Sequence, residues 1–275
     1  MESIINLLRC PLCGGAFTKR ENSLVCDSRH CYDIARQGHI NFVPGQKEMF
    51  YKKELFESRA EVFRAGVYAP VVQRLSEALS QFVPGENPVI VDAGCGEGYY
   101  IKSVCPDRMM TRVGFDLSKD AVRLAARGRS EALFFAADLK RIPLADGCAD
   151  AVLDIFTPAD YAEFKRVLKP QGLLFKLAPR SGYLRELRAA AGDRLRRKEY
   201  DGGDVERYAH EKMNVLASET ITYTMNVSPE TVGLLARMTP MLAGVDIDAL
   251  DLTGVAQVTI DETLTIGTIK STRKH

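Results

Sequence analysis

The stretch VDAGCGEGYY, Val91 to Tyr100, decides how the rest of the chain is read. It continues the apolar run PVI and carries Gly94, Gly96 and Gly98, so it predicts a buried strand that runs through a tight loop into a helix near 99–104. The spacing is G-x-G-x-G, not the G-x-G-x-x-G that opens a helix N-terminus to a pyrophosphate. Glu97 inside the loop would repel a pyrophosphate. The tighter glycine spacing instead lets backbone approach a ligand that has no phosphates.

Reading outward, the pattern repeats. RVGFD (112–116) predicts a second strand and SKDAVRLAARG (118–128) a helix with Ser118 as its N-cap. ALFFAAD (132–138) and ADAVLDIF (149–156) predict a third and fourth strand, AEFKRVLKP (162–170) a helix, and GLLFKLAP (172–179) a fifth strand. ETITYTMNV and VAQVTIDETLTIGTIK add two strands around the helix ETVGLLARM. Strands alternating with helices argue an α/β fold with a parallel, doubly wound sheet. Acids stand at the strand ends. Asp92 can face the ammonium of an amino-acid moiety, Asp116 can accept both hydroxyls of a ribose, and Asp138 can reach an adenine edge. A nucleoside joined to an amino acid without phosphate describes S-adenosylmethionine.

The chain opens differently. CPLCGGAFTKRENSLVCDSRHC, Cys10 to Cys31, holds four of the seven cysteines and one histidine. Cys10-x2-Cys13 and Cys26-x3-His30 form two knuckles joined by a predicted hairpin, the arrangement of a closed, structural zinc shell. Cys31 competes with His30 for the fourth position, and spacing leaves both open. YDIARQGHINFV alternates loosely and ends at Pro44-Gly45. The next segment predicts two helices broken at Gly66, with Pro70 suited to the first turn of the second. The expected division is a zinc-binding lobe over 1–43, a helical linker over 44–67 and a cofactor domain over 68–275.

Lys and Arg total 37 against 36 Asp and Glu, so no global field draws nucleic acid to the chain. No signal peptide opens it, and no run approaches the roughly 20 apolar residues that span a bilayer. The expectation is a soluble, cytoplasmic protein with no membrane partner, in a compartment where clustered cysteines favour metal over disulfides.

VDAGCGEGYY, GFDLSKDAV and RVLKPQG resemble the class I S-adenosylmethionine-dependent methyltransferases, with their Rossmann-like sheet. With C-x2-C-x12-C-x3-H, SRAEVFRAGVYAP, DIFTP and LLARMTP, the whole resembles the RlmA family of 23S rRNA guanine-N1 methyltransferases. That family includes enzymes of macrolide-type antibiotic resistance. The resemblance implies methyl transfer to N1 of a guanine in a domain II hairpin of 23S rRNA, and relatives suggest a homodimer. It implies Cys10, Cys13, Cys26 and His30 as zinc ligands, with Cys31 a bystander. It also implies that Tyr68 closes over the cofactor with Gly96 and Glu97, and that Leu187 borders it. The glycine loop as a whole, Gly94, Gly96 and Gly98, is expected at the cofactor. The chain departs from the pattern in two places: MTP is followed by MLAGVD, with no tryptophan anywhere, and Asp154 stands where many relatives carry Asn.

Guanine N1 carries a proton at neutral pH, so its methylation calls for a base. Asp154, at the end of the fourth strand, is the candidate read from the sequence, and Phe156 and Pro158 are candidates for an apolar wall against an unstacked base. Arg188, Arg194, Arg196, Arg197 and Lys198, with Lys47, Lys52 and Lys53, are candidate RNA contacts. Two other readings keep part of this chemistry: transfer to a small molecule or another RNA, and a non-catalytic zinc-bearing RNA-binding factor.

Overall fold

The computed structural model describes residues 2–43, 45, 53–128, 131–195 and 203–271. After a short helix α1 (Glu2–Ile5), strands β1 (Phe17–Arg20) and β2 (Ser23–Cys26) form the expected hairpin. β3 (Cys31–Asp33) pairs antiparallel with β2, setting Leu24 opposite Tyr32. The next strand, β4 (Ile40–Asn41), leaves this small sheet.

Helices α2 (Lys53–Arg64) and α3 (Ala69–Phe82) follow, separated at Gly66, whose φ of 79° only glycine adopts without strain. Pro70 lies in the first turn of α3, where its missing N–H costs nothing. The β/α alternation then runs β5 (Val89–Ala93), α4 (Tyr99–Ser103), β6 (Thr111–Asp116), α5 (Lys119–Ala125), β7 (Leu133–Ala136), β8 (Ala149–Ile155), α6 (Tyr161–Val167) and β9 (Leu168–Pro179). Ser118 caps α5 by accepting from the Ala121 amide, and Asp160 caps α6 through Ala162 and Glu163. α6 stops at Val167, three residues before the helical expectation. Pro170 biases Lys169 toward extended backbone, and Leu168 already pairs with Ala149 on β8. The remaining elements are α7 (Arg185–Ala191), α8 (Gly203–Lys212), β10 (Met213–Asn226), α9 (Pro229–Met238) and β11 (Gln257–Ile269).

Among the described residues the main sheet has the order β10-β11-β9-β8-β5-β6-β7-β4. β11 is antiparallel to both neighbours, whereas β9, β8, β5, β6 and β7 run parallel. The order reverses beside β5, so the crevice above its carboxyl end is where such a sheet receives a ligand.

β4 is the unexpected part. It extends the sheet at β7, Ile40 opposite Phe135 and Asn41 opposite Ala136, so the N-terminal lobe supplies the edge strand of the main sheet. Leu8 bridges Leu144, and the Arg9 amide donates to the Pro143 carbonyl at 3.0 Å. A line of rings joins the two parts. Tyr32 meets Phe42 at 4.9 Å between centroids, Phe42 meets Phe135 at 5.6 Å, and Phe135 stacks on Phe115 at 5.6 Å. Leu8, Phe17, Leu24, Ile40 and Phe42 share one buried cluster with Val91, Val113 and Phe115 of the sheet. Burying each such side chain is worth about 1.5–3 kcal/mol. The lobe and sheet therefore hold one common core on this face. Among the described residues no helix is long and apolar enough to cross a membrane.

Candidate functional site

In the lobe, the Cys10-x2-Cys13 turn closes through the Gly14 amide, which donates to the Cys10 carbonyl at 2.8 Å, and the Cys10 amide, which donates to Gly15 at 2.9 Å. The donor atoms of Cys10, Cys13, Cys26 and His30 all lie within 4.8 Å of one another. His30 Nδ1 is 3.4 Å from both Cys10 Sγ and Cys26 Sγ, and Cys13 Sγ is 3.6 Å from Cys26 Sγ. A tetrahedron with Zn–S of about 2.3 Å and Zn–N of about 2.0 Å has edges of about 3.5–3.8 Å, so this donor set fits zinc in both chemistry and size. Cys31 is exposed and stands outside the group. The Tyr32 hydroxyl lies 4.0 Å from Cys10 Sγ and links the donor set to the ring line below it.

The second site lies above β5. Asp116 holds the glycine loop open: one carboxylate oxygen accepts from the Gly96 amide at 3.0 Å, the other from Ser118 at 2.8 Å. Gly94 has φ 74°, and a Cβ there would collide with Thr157 Oγ1, so the turn after β8 packs directly on the loop. Arg59, from α2, covers the loop from above. Its guanidinium would lie 3.3 Å from a Cβ on Gly96, and its Nε is 3.6 Å from Glu97 Oε2.

Gly98 closes the loop. It is the N-cap of α4, with φ 79°, and a Cβ there would fall 2.9 Å from the Phe134 ring and 3.2 Å from the Ala125 Cβ. That side of Gly98 is therefore filled by β7 and α5. Its missing side chain serves the left-handed turn into α4 and the close packing of that turn on the core.

Glu97 is buried, and neither of its oxygens has a hydrogen-bond partner among the described residues. Burial raises its carboxyl above the usual range, with Arg59 opposing. Asp92 is also buried, with Oδ2 unpartnered. Burial pushes its pKa to about 7 against the opposing effects of an Ile101 backbone hydrogen bond and Arg59. The backbone of Gly94 and Gly96, flanked by two buried acids and one cation, fits a ligand with an ammonium, a carboxylate and a ribose.

Tyr68 is buried where α2 meets α3, its hydroxyl 2.5 Å from that of Tyr183. Leu187, on α7, packs in the same core cluster. Asp138 lies two residues past the end of β7, and one of its oxygens accepts from the Lys140 amide at 2.9 Å.

Asp154 behaves unlike an exposed strand-end acid. It is 0% exposed, and Lys176 Nζ of β9 lies 2.9 Å from its Oδ2. Burial raises its pKa to about 6, with Lys176 opposing. Lys176 also donates to the Thr157 carbonyl at 2.6 Å, so the pair pins the turn that packs on Gly94. Phe156 sits in the turn with φ 56°, a left-handed conformation that costs a bulky residue about 1–3 kcal/mol. Its ring centroid is 5.6 Å from that of Tyr183.

Of the basic residues, Lys53 pairs with Glu57 at 2.9 Å, Arg188 donates to the Tyr183 carbonyl at 3.4 Å, and Arg194 is exposed. Lys47, Lys52, Arg196, Arg197 and Lys198 lie outside the described residues. Sequence reading missed Arg59 and Lys176. Both reach the site through tertiary packing, and neither sits in a local motif.

A family profile described as "RlmA, N-terminal" matches residues 8–49, and one described as "Methyltransferase domain" matches residues 91–175. YxjB of Bacillus subtilis (strain 168), named as a 23S rRNA (guanine-N(1)-)-methyltransferase, is 33% identical over 276 residues, covering 95% of this chain and 97% of the relative. The 23S rRNA (guanine(748)-N(1))-methyltransferase of Streptomyces fradiae is 28% identical over 274 residues, 96% and 98% of the two chains. A solved chain from the complex between the Haloferax volcanii Trm112 methyltransferase activator and a methyltransferase superposes with a TM-score of 0.50 at 16% identity. It covers 80% of this chain and 100% of that one, a likeness of fold alone.

Proposed function

We propose a reaction for this chain from one premise: it belongs to the family of 23S rRNA (guanine-N1)-methyltransferases. It is an S-adenosylmethionine-dependent enzyme, and its reaction is transfer of a methyl group to N1 of a guanine in a hairpin of 23S rRNA. The observation that carries this reading is the direct packing of Thr157 on Gly94, which joins the glycine loop to the turn where an acceptor base would lie.

S-adenosylmethionine supplies an electrophilic methyl group and needs no further activation, so the chain's work is alignment and proton management. Asp116 fixes the loop through Gly96 and stands where a ribose would be held, with Asp138 beyond β7 toward the adenine. Asp92 and Glu97 would face the ammonium, and Arg59 the carboxylate. Tyr68 and Leu187 close the apolar side. Gly98 acts behind the loop, letting α4 start close against Phe134. We assign Asp154 a positioning role: with Lys176 it holds the 156–158 turn, leaving Phe156 to wall the acceptor. Zinc, held by Cys10, Cys13, Cys26 and His30, stabilises a lobe whose strand β4 completes the sheet edge. With four protein donors the shell has no place for a substrate.

The test is incubation of the zinc-loaded protein with unmodified 23S rRNA and labelled cofactor, followed by mass spectrometry of the nucleosides. N1-methylguanosine is expected. Label on another atom or base would overturn the reaction, and no label in RNA despite cofactor binding would overturn the substrate.

A further inference from the structure

We propose that Glu262 receives the Watson–Crick edge of the acceptor guanine and takes its N1 proton. The assignment rests on the reaction proposed above.

Glu262 lies within β11, on the face that also carries Val258, Ile260, Leu264 and Ile266. Every one of these neighbours is apolar and buried, and Glu262 itself is 0% exposed. Neither carboxylate oxygen has a hydrogen-bond partner among the described residues. The next residue back shows the contrast. Asp261, on the opposite face, pairs with Arg180 at 2.8 Å and accepts from the Gly182 amide at 3.0 Å and the Thr222 hydroxyl at 2.7 Å. One acid of the pair is fully engaged in the fold; the other has nothing to do there.

Its position is functional ground. Glu262 stands opposite Pro179, the last residue of β9, while Ile155 at the end of β8 pairs with Leu177. It therefore sits at the carboxyl end of the parallel strands, level with the turn of Phe156 and with Tyr183. It lies close enough to the phenols of Tyr68, Tyr100, Tyr183 and Tyr223 to raise their pKa when ionised. Tyr68 and Tyr183 bond each other, Tyr223 donates to the Val67 carbonyl at 2.7 Å, and the Tyr100 hydroxyl is unpartnered. Arg59, over the glycine loop, acts on Tyr68 and Tyr100 from the other side. Tyr68, Tyr100 and Tyr183 thus lie close to both Arg59 at the cofactor loop and Glu262.

A buried carboxyl without partners is costly, and a fold retains one where a ligand completes it. The chemistry of the missing partner is narrow. A carboxylate offers two parallel acceptors, and guanine presents two adjacent donors, N1–H and the exocyclic amine. Adenine and cytosine present a ring acceptor at the corresponding place, and uracil flanks its N3–H with carbonyl oxygens. The same contact supplies the base. The N1–H bond breaks, the proton passes to a Glu262 oxygen, and the freed N1 pair forms the bond to the methyl carbon. The carbon–sulfur bond breaks as that bond forms, its electron pair staying on sulfur. Burial and the neighbouring Asp261 raise the Glu262 carboxyl well above its ordinary range, so its ionised form depends on the two donors of the guanine edge to stabilise it before it takes the proton.

The experiment compares wild type with Glu262→Gln on two synthetic hairpins from 23S rRNA, one carrying the acceptor guanosine and one inosine, which lacks the exocyclic amine. Turnover is read as N1-methylated nucleoside, and cofactor affinity and the unfolding transition are measured alongside. The expected result is a fall in turnover of about 100-fold or more, with cofactor affinity and the unfolding transition unchanged. Wild type should prefer guanosine over inosine, and the variant should lose that preference. Glu262→Asp, which keeps the charge but withdraws it by one methylene, should retain partial turnover and the preference. A Gln variant with wild-type rate or wild-type preference removes Glu262 and leaves the proposed reaction standing. A Gln variant that fails to fold, together with an inactive but folded Asp variant that binds cofactor poorly, makes the residue structural and overturns the assignment. Absence of N1-methylguanosine with wild type overturns the reaction and this role together.

Discussion

Replacing Phe42 with alanine tests whether the zinc lobe and the sheet are one cooperative unit. Phe42 is 5% exposed and touches Phe17, Tyr32 and Phe135, with centroids at 5.7, 4.9 and 5.6 Å. Its amide donates to the Ala136 carbonyl at 2.9 Å, which alanine would keep. The substitution therefore removes packing and leaves the backbone register intact. A buried Phe→Ala change costs about 3–5 kcal/mol, or roughly 10 °C of melting temperature in a chain of this size. The assay is urea unfolding of zinc-loaded protein, with far-UV circular dichroism reporting the sheet and a chromogenic indicator reporting zinc release. Because Leu8, Ile40 and Phe42 share a core with Val91, Val113 and Phe115, both signals should shift together to lower urea. Zinc release at lower urea with an unmoved dichroism transition would refute the shared core.

Three further outcomes follow from the geometry. His30→Ala should lose zinc on competition with a chelator, whereas Cys31→Ala should keep full metal content; the reverse would move the fourth ligand to Cys31. Asp92 has a folded-state pKa raised to about 7 by burial, so its neutral form favours the fold, and that contribution is lost as pH rises through about 7. An ammonium bound beside Asp92 stabilises the charged form. Cofactor affinity should then fall by up to about tenfold per unit below pH 7, and Asp92→Asn should flatten the dependence in calorimetry. Lys176→Met leaves Asp154 buried without its partner and should cost about 3–5 kcal/mol, most of it recovered in the double variant with Asp154→Asn. Additive losses in urea unfolding would contradict the buried pair.

Much of this was legible in local sequence. The glycine loop, the strand-end acids and the two zinc knuckles are short motifs whose chemistry depends on spacing, and the comparisons place the chain in the family those motifs resemble. The helix break at Gly66 and the cap at Ser118 follow from single residues. What remained hidden depends on distant partners. β4 is only two residues long and exists because β7 offers an edge. Gly98 looks like its two neighbours in the motif, and only the ring of Phe134 beside it shows how closely its turn packs on the core. Arg59 gains meaning only once α2 lies across the glycine loop, and Asp154 changes from a strand-end acid to half of a buried pair only once Lys176 is beside it. Glu262 did leave a signal: in VTIDETLTIG it occupies a place in an apolar alternation where a hydrophobic residue belongs. The strand's length and the neighbouring Asp261 obscured it.

The most direct measurement is reverse transcription across 23S rRNA treated with the zinc-loaded protein and S-adenosylmethionine. A methyl group on guanine N1 blocks base pairing, so the account predicts one strong cofactor-dependent stop beside a hairpin guanine. Asp116→Ala should abolish it, since Asp116 holds the loop through Gly96 and Ser118. Full read-through of the treated RNA, with methyl label recovered elsewhere or not at all, would contradict the account.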